Sequence, residues 1–175
     1  IYDNPLGVMT NSPTFDWMLT NLDNYINLSV MNTPEKKIAG VTLTQFGQGS
    51  GLFGLPGDYS PPSRFVRMAT LVSAALPAKN ADQGLNQAIT ILDNVDIPIG
   101  AVRGWEGTEA RYDKTIWSVV ADTANLRYYY RSMDNKNWRY VDLAKALAGA
   151  KGITAVPVFI PVDYPETTSQ AKPFP

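Results

Sequence analysis

Two irregular segments of this 175-residue chain each place one polar residue where a packed core would not require it. Residues 4–13 contain Asn11, and residues 49–67 contain Arg64. Glycine and proline interrupt both segments, and a helix is predicted to begin at the end of each. An asparagine amide can donate a hydrogen bond to a developing negative charge, and an arginine can hold an anion. Asn11 and Arg64 are therefore the candidates for chemistry.

Arg64 falls at the end of the first turn of a helix that Pro61 is predicted to open. The helix dipole disfavours a cation there by roughly 0.3–1 kcal/mol. Because Arg64 also borders the apolar face of this helix, it requires an anionic partner. The residue pattern alone favours an ion pair with Asp58 or another carboxylate over a functional role. Arg67, about one turn further on, is interpreted as a solvated side chain.

Asn11 lies between a predicted strand at residues 6–10 and a predicted helix start, with Ser12 as the N-cap and Pro13 as the first helical residue. On spacing alone, a local turn or cap role is favoured for such an asparagine. The functional alternative is that its neutral side-chain amide donates a hydrogen bond to an oxyanion.

The composition excludes several classes of site. The chain has no cysteine and no histidine, so it cannot itself supply a thiol nucleophile, a histidine-based triad, a disulfide or the usual zinc sites. We predict no metal and no cofactor. The formal charge is −1 without any basic run, so no nucleic-acid partner is expected. No apolar run is long enough for a membrane span, so no membrane partner is expected either.

Periodicity and turn signals predict an α+β fold with helices packed on sheet faces. The predicted helices are residues 13 to about 28–30, residues 61–76, a helix from about residue 82, and residues 143–147. The predicted strands are residues 6–10, a short strand or turn at 41–46, residues 115–121, 126–132 and 138–141, and a possible edge strand at 153–160. The Gly-Trp-Glu-Gly run at residues 104–107 is interpreted as a loop, and the tail from residue 161 to 175 as a surface segment.

The two candidate segments resemble the choloylglycine hydrolase family, which includes bile salt hydrolases and penicillin V acylases. The first matching block is Asn-Pro-Leu-Gly-Val-Met-Thr-Asn-Ser-Pro-Thr-Phe-Asp-Trp at residues 4–17. The second is Gly-Leu-Pro-Gly-Asp at residues 54–58 with Ser-Arg-Phe-Val-Arg at residues 63–67. Weaker similarity continues through Val-Asp-Ile-Pro-Ile-Gly at 95–100 and Trp-Ser-Val-Val-Ala-Asp at 117–122.

This resemblance implies an N-terminal-nucleophile hydrolase with a four-layer αββα sandwich of antiparallel sheets. In that family an N-terminal cysteine attacks an amide carbonyl, its free α-amino group accepts the proton, and an aspartate and an arginine assist. Asn11 matches the family's oxyanion asparagine, and Arg64 matches a further arginine beside the nucleophile. With the resemblance, a functional role becomes the favoured interpretation of both residues.

The chain departs from the family because it has no cysteine and starts at Ile1. Residues 1–175 are therefore expected to be the C-terminal portion of a single domain and inactive alone. An N-terminal half, or a second chain carrying the cysteine, is the expected partner. A homo-oligomer is also expected from the family.

The expected activity is hydrolysis of a linear amide, with penicillin V or a conjugated bile salt as substrate. The alternatives are an N-acyl homoserine lactone acylase and a non-catalytic binding relative without a nucleophile. The glycine-rich block looks closer to Gram-negative, secreted, penicillin-acylase-like members, which favours a periplasmic or secreted location over a cytoplasmic one. The sequence does not choose among the substrates.

Overall fold

The computed structural model describes residues 1–172 and divides the chain into two compact units, Ile1–Asp96 and Ile97–Pro175. Both helices and antiparallel strands are present, so the predicted α+β class is confirmed. Within residues 1–172, none of the helices combines the length and the hydropathy that crossing a bilayer requires.

The first unit contains three α-helices and one small hairpin. In chain order its elements are α1 (Phe15–Leu22), a 3-10 turn (Asp23–Tyr25), β1 (Lys36–Ile38), β2 (Val41–Leu43), a 3-10 turn (Ser50–Leu52), α2 (Pro61–Ser73) and α3 (Ala81–Asp93). The strands β1 and β2 pair antiparallel, with Lys36 opposite Leu43. Asn80 caps α3 by accepting a hydrogen bond from the backbone N–H of Gln83 at 2.9 Å.

The core of the first unit joins the N-terminal segment to α1 and α2. Val8, Met18 and Phe65 form its buried centre, and Phe65 has no exposed surface. The rings of Phe15 and Phe65 meet edge to face, with centroids 6.0 Å apart, a favourable aromatic geometry. This core holds the N-terminal segment against the helix that carries Arg64.

The second unit is built from antiparallel strands and one short helix. Its elements are β3 (Val102–Glu106), β4 (Glu109–Asp113), β5 (Trp117–Asp122), β6 (Arg127–Ser132), β7 (Arg139–Asp142), α4 (Leu143–Leu147) and a 3-10 turn (Thr168–Gln170). The strands β3 and β4 form a hairpin, and β5, β6 and β7 form a three-stranded meander in that order.

Side-chain hydrogen bonds fix the turns of the meander. Asn125 donates from its backbone N–H and its amide to the carboxylate of Asp122, which closes the β5–β6 turn. Asp142 accepts from the backbone N–H of Lys145 at 3.0 Å and so caps α4. The fully buried Asn135 donates to the carbonyl of Pro161 and to Asp163, which ties the following chain to the β6–β7 turn.

Several predicted elements differ from the structure. Residues 6–10 and 153–160 are not strands, because no described segment pairs with them and a strand requires a hydrogen-bonded neighbour. The first helix begins at Phe15 rather than Pro13 and ends at Leu22, where a 3-10 turn replaces it. The strands β1, β3 and β4 were not predicted, and residues 104–107, taken as a loop, lie in the β3–β4 hairpin.

Candidate active site

The segment before Asn11 is held in place by one turn and two anchors. The backbone N–H of Gly7 donates to the carbonyl of Asn4, and Gly7 takes a φ of 62°, a conformation that glycine adopts without strain. The Asn4 amide also donates to the carbonyl of Val8 at 3.0 Å. Val8 is buried, and the Thr10 hydroxyl reaches the sulfur of Met18 on α1 at 3.9 Å. The chain therefore arrives at Asn11 in a defined position.

The start of α2 is organised by the carboxylate of Asp58. Asp58 accepts from the backbone N–H of Ser60 at 2.9 Å and from the Ser63 hydroxyl at 2.5 Å. These hydrogen bonds, from Ser60 first and then Ser63, lower the pKa of Asp58 to about 2. Pro61 opens the helix with its fixed φ, as predicted. Asp58 thus holds the turn that leads into Arg64.

Arg64 and Asn11 meet although 53 residues separate them in the sequence. Arg64 Nε donates to the carbonyl of Tyr59 at 3.1 Å, and Arg64 Nη2 donates to Asn11 Oδ1 at 2.8 Å. The first bond fixes the plane of the guanidinium against the turn before α2. The second joins the N-terminal segment to α2, so the structure brings together the two residues that the sequence selected.

This contact determines which end of the Asn11 amide remains available. Oδ1 is taken by Arg64, and within residues 1–172 no acceptor lies within hydrogen-bond distance of Nδ2. Asn11 is exposed, so Nδ2 faces a volume that another group can enter. An amide nitrogen held in this way is a donor of fixed direction.

A shallow cavity of about 240 Å³ lies beside Arg64 within the first unit. Its walls are residues 7–10 and the apolar side chains of Met68, Val72, Leu92 and Val95. Arg64 is the only charged residue among those that line it. A charge at an apolar wall interacts more strongly with an anion than the same charge in open water.

Two sequence-based expectations about the arginines are wrong. Arg64 does not pair with Asp58: its guanidinium donates to the carbonyl of Tyr59 and to Asn11 Oδ1, and the Asp58 carboxylate accepts from Ser60 and Ser63. Arg67 is not solvated: it is 6% exposed and donates to the carbonyls of Pro56 and Asp58. The sequence signal that could have predicted the burial of Arg67 is its position between Val66 and Ala69, which are both buried residues of α2.

Other candidates considered from sequence do not gather into a site. Within the described range, no three acidic residues come close enough to hold a metal ion. Glu106 pairs with Arg111 across the β3–β4 hairpin. Tyr128 and Tyr130 border a pocket from which the intervening tyrosine is absent, as strand alternation predicts.

The part of this chain that matches known proteins includes both candidate segments, residues 4–13 and 49–67. The sequence model of the linear amide C–N hydrolases of the choloylglycine hydrolase family matches residues 1–154. A bile salt hydrolase/transferase of Clostridium perfringens is 38% identical over 83% of this chain and 43% of its own length. One of Lactiplantibacillus plantarum is 40% identical over 82% of this chain and 43% of its own length. A penicillin V acylase of Pectobacterium atrosepticum is 29% identical over 85% of this chain and 36% of its own length.

A solved structure of a bile acid hydrolase is also similar to this chain. A cysteine-to-alanine mutant of the conjugated bile acid hydrolase from Clostridium perfringens superposes with a TM-score of 0.82 at 32% identity. The match covers 95% of this chain and 50% of that protein. The chain therefore spans half or less of the length of these relatives. On the extent of the family match, the chain belongs to the choloylglycine hydrolase family of linear amide C–N hydrolases.

Proposed function

We propose that this chain forms the C-terminal portion of an N-terminal-nucleophile hydrolase that cleaves a linear amide bond. The cysteine nucleophile would be supplied by the other part of the complete protein, because this chain has none. The observation that carries the proposal is the hydrogen bond between Arg64 and Asn11. It joins two polar groups from distant segments, and one of them, Arg64, lines the cavity, which supports a shared site.

Asn11 is proposed to stabilise the oxyanion. When a nucleophile attacks an amide carbonyl, negative charge develops on the carbonyl oxygen, and a preorganised donor lowers the barrier. Arg64 holds Asn11 Oδ1 at 2.8 Å, so the opposite end of the amide, Nδ2, is presented as the donor. Because that amide is oriented before substrate arrives, it loses little rotational freedom during the reaction.

Arg64 is proposed to stand beside the attacking thiolate. Within the described residues it has no carboxylate partner, and its placement in the first turn of α2 opposes the helix dipole. An anion next to this guanidinium would remove that imbalance. A neighbouring cation also favours the ionised form of a cysteine, so Arg64 would lower the pKa of the thiol and raise the thiolate fraction.

The other part of the protein is proposed to complete a four-layer αββα sandwich around this site. Among the described residues of the second unit, no apolar side chain is buried. Trp105 is 78% exposed and Trp117 is 55% exposed, although both lie on strands. Large apolar surfaces of this kind are covered in stable proteins. This supports a partner segment or chain that packs on them.

A conjugated bile salt is the substrate we propose to test first. The bile salt hydrolases named above have 38% and 40% identity to this chain, against 29% for the penicillin V acylase. Penicillin V is the second choice and an N-acyl homoserine lactone the third. The glycine-rich block had favoured penicillin-acylase-like relatives, whereas these identities favour the bile salt hydrolases.

The test uses the complete protein and three substrates: glycocholate, penicillin V and an N-acyl homoserine lactone. We expect release of free glycine from glycocholate, and we expect Arg64→Ala to lower kcat by about 10²-fold or more because the amide of Asn11 loses its support. Arg111→Ala, at an exposed hairpin of the second unit, is the matched control and should retain activity.

A second readout isolates the thiolate. The rate of inactivation by iodoacetamide reports the ionised cysteine, and in Arg64→Ala its pH profile should move to higher pH. If the complete wild-type protein hydrolysed none of the three substrates and showed no activity that iodoacetamide abolishes, that result would favour the non-catalytic binding relative instead. Wild-type kcat in Arg64→Ala would show that the site is wrongly assigned.

A further inference from the structure

Arg67 is a buried cation that has no anionic partner among residues 1–172. It is 6% exposed, and its guanidinium donates only to backbone carbonyls: Nε to Asn94 at 2.8 Å, and Nη1 to Pro56 at 2.5 Å and Asp58 at 3.1 Å. Nη2 is buried as well, and among the described residues it reaches no acceptor. An apolar side chain could fill this volume, but it would leave the three carbonyls without the donor that Arg67 supplies, so the arginine is explained by the segments it holds.

The carbonyls that Arg67 holds belong to the turn that positions Arg64. Residues 56 and 58 are bound by Arg67, and the very next carbonyl, that of Tyr59, accepts from Arg64 Nε at 3.1 Å. Arg67 and Arg64 are three residues apart on α2, and they donate to the adjacent carbonyls of Asp58 and Tyr59 in the same turn. A displacement of the turn therefore moves the acceptor that fixes the plane of the Arg64 guanidinium.

The end of α3 is tied into the same arrangement. The carbonyl of Asn94 at the C-cap of α3 accepts from Arg67 Nε, so a single side chain connects α3, the turn and α2. The apolar wall of the cavity beside Arg64 includes Leu92 and Val95, which flank Asn94. Arg67 thus binds both the turn at residues 56–59, which positions Arg64, and the end of α3, next to the residues that line the cavity.

We propose that Arg67 is a positioning residue for the amide hydrolysis, acting through the Tyr59 carbonyl on Arg64 and from there on Asn11. This inference rests on the proposed function of the same site. Arg67 contacts neither substrate nor nucleophile in this scheme. Its planar fork reaches two separate segments, which a lysine with a single nitrogen cannot reproduce.

The test is Arg67→Lys in the complete protein, which keeps the charge and most of the aliphatic stem. A small displacement of a catalytic group costs up to about 10²-fold in rate, so we expect kcat per titrated active-site cysteine to fall about 10- to 100-fold while KM changes little. Arg111→Lys is the matched control, since its side chain is exposed and it should keep wild-type kcat.

A double-mutant cycle separates positioning from general stability. In an Arg64→Lys background the bond from Nε to Tyr59 is already absent, so adding Arg67→Lys should lower kcat by less than about twofold further. An equal fold loss in both backgrounds would overturn the proposal. So would an Arg67→Lys enzyme whose kcat per titrated site equals that of the wild type.

Folding failure is also decisive. If Arg67→Lys does not fold, Arg67→Gln, a neutral side chain with two donors, takes its place in the same cycle. If neither variant folds, Arg67 serves stability and the proposal is wrong. Wild-type kcat in Arg64→Ala would instead contradict the proposed function itself, so the two failures are distinguishable.

Discussion

Replacing Asn11 by aspartate removes one hydrogen-bond donor from the site while preserving its support. In Asn11→Asp the amide nitrogen becomes a second carboxylate oxygen, and Oδ1 can still accept from Arg64 Nη2, which it does at 2.8 Å in the wild type. That bond becomes charge-assisted and therefore stronger. The variant thus separates the donor function of Nδ2 from the structural contact made by Oδ1.

The expected effects on rate and stability have opposite signs. Loss of one oxyanion donor costs about 10²–10³ in kcat, or about 2.7–4 kcal/mol of transition-state stabilisation. The new negative charge beside a developing oxyanion adds repulsion, so we expect the upper part of this range. Asn11 is exposed and Arg64 is half-buried, so the new ion pair adds at most about 1 kcal/mol to the free energy of unfolding.

The assay measures kcat and KM for release of glycine from glycocholate by the complete protein, together with Tm. Asn86→Asp is the control: it adds the same charge at an exposed position of α3 and should leave both kcat and Tm close to wild type. A fall in kcat with unchanged or raised Tm is the expected result. If Asn11→Asp retained wild-type kcat, Nδ2 would not be the oxyanion donor and the reasoning would be refuted.

Two further predictions concern the stability of the first unit. A Cβ at Gly51 would lie 2.0 Å from the carbonyl oxygen of Met31, so Gly51→Ala should lower the free energy of unfolding by about 1–3 kcal/mol in a denaturant titration, whereas Gly47→Ala, with open space around it, should not. The pKa of Asp58 is about 2 in the folded protein against 3.8 ordinarily, so its contribution is present above about pH 4 and is lost as the pH falls towards 2. Asp58→Asn should therefore be less stable than wild type at pH 6, with the difference disappearing near pH 2; a difference independent of pH would contradict this.

Sequence patterns located the helices and the meander because these elements are determined locally. Ser60 and Pro61 signalled the start of α2, and the helix begins at Pro61. The strands predicted at residues 115–121 and 126–132 correspond to β5 and β6, and the helix predicted at residues 143–147 is α4. The side chains of Asp122, Asn125 and Asp142 themselves make the hydrogen bonds of the β5–β6 turn and of the α4 cap, whereas Ser60 makes no side-chain cap hydrogen bond to α2.

The missed elements depend on partners that local patterns do not reveal. The strand β3 has no regular alternation, and although β4 alternates charged residues with Ala110 and Tyr112, all five of its residues are exposed, so neither strand has a buried face to mark it. Residues 6–10 are apolar enough to suggest a strand, yet Gly7 has a φ of 62° and no described segment pairs with them. Strand assignment depends on the neighbour as well as on the residues themselves.

The residue patterns alone selected Arg64 and Asn11 as unusual, but a functional role became the favoured interpretation only through the resemblance to the choloylglycine hydrolase family. Arg64 opposes the helix dipole, and such conflicts mark functional positions more often than they mark errors of folding. The contact between Arg64 and Asn11 was not predictable, since periodicity carries no information about a pair 53 residues apart. For the same reason the ion pair with Asp58, a neighbour in sequence, was wrongly favoured.

Three polar side chains in the first unit lack a charge partner or a hydrogen-bond acceptor among the described residues. Arg64 has no carboxylate partner, Asn11 has an amide nitrogen without an acceptor, and Arg67 has a buried nitrogen without one. The first two point to one place, since a single hydrogen bond joins them. An anion there would satisfy both, and the two candidates are a thiolate beside Arg64 and an oxyanion beside Asn11. Attack of a thiolate on an amide moves one negative charge between these two positions, from the sulfur to the carbonyl oxygen. In the proposed reaction the unmet donors would therefore match the charge as it moves, as differential stabilisation of a transition state requires.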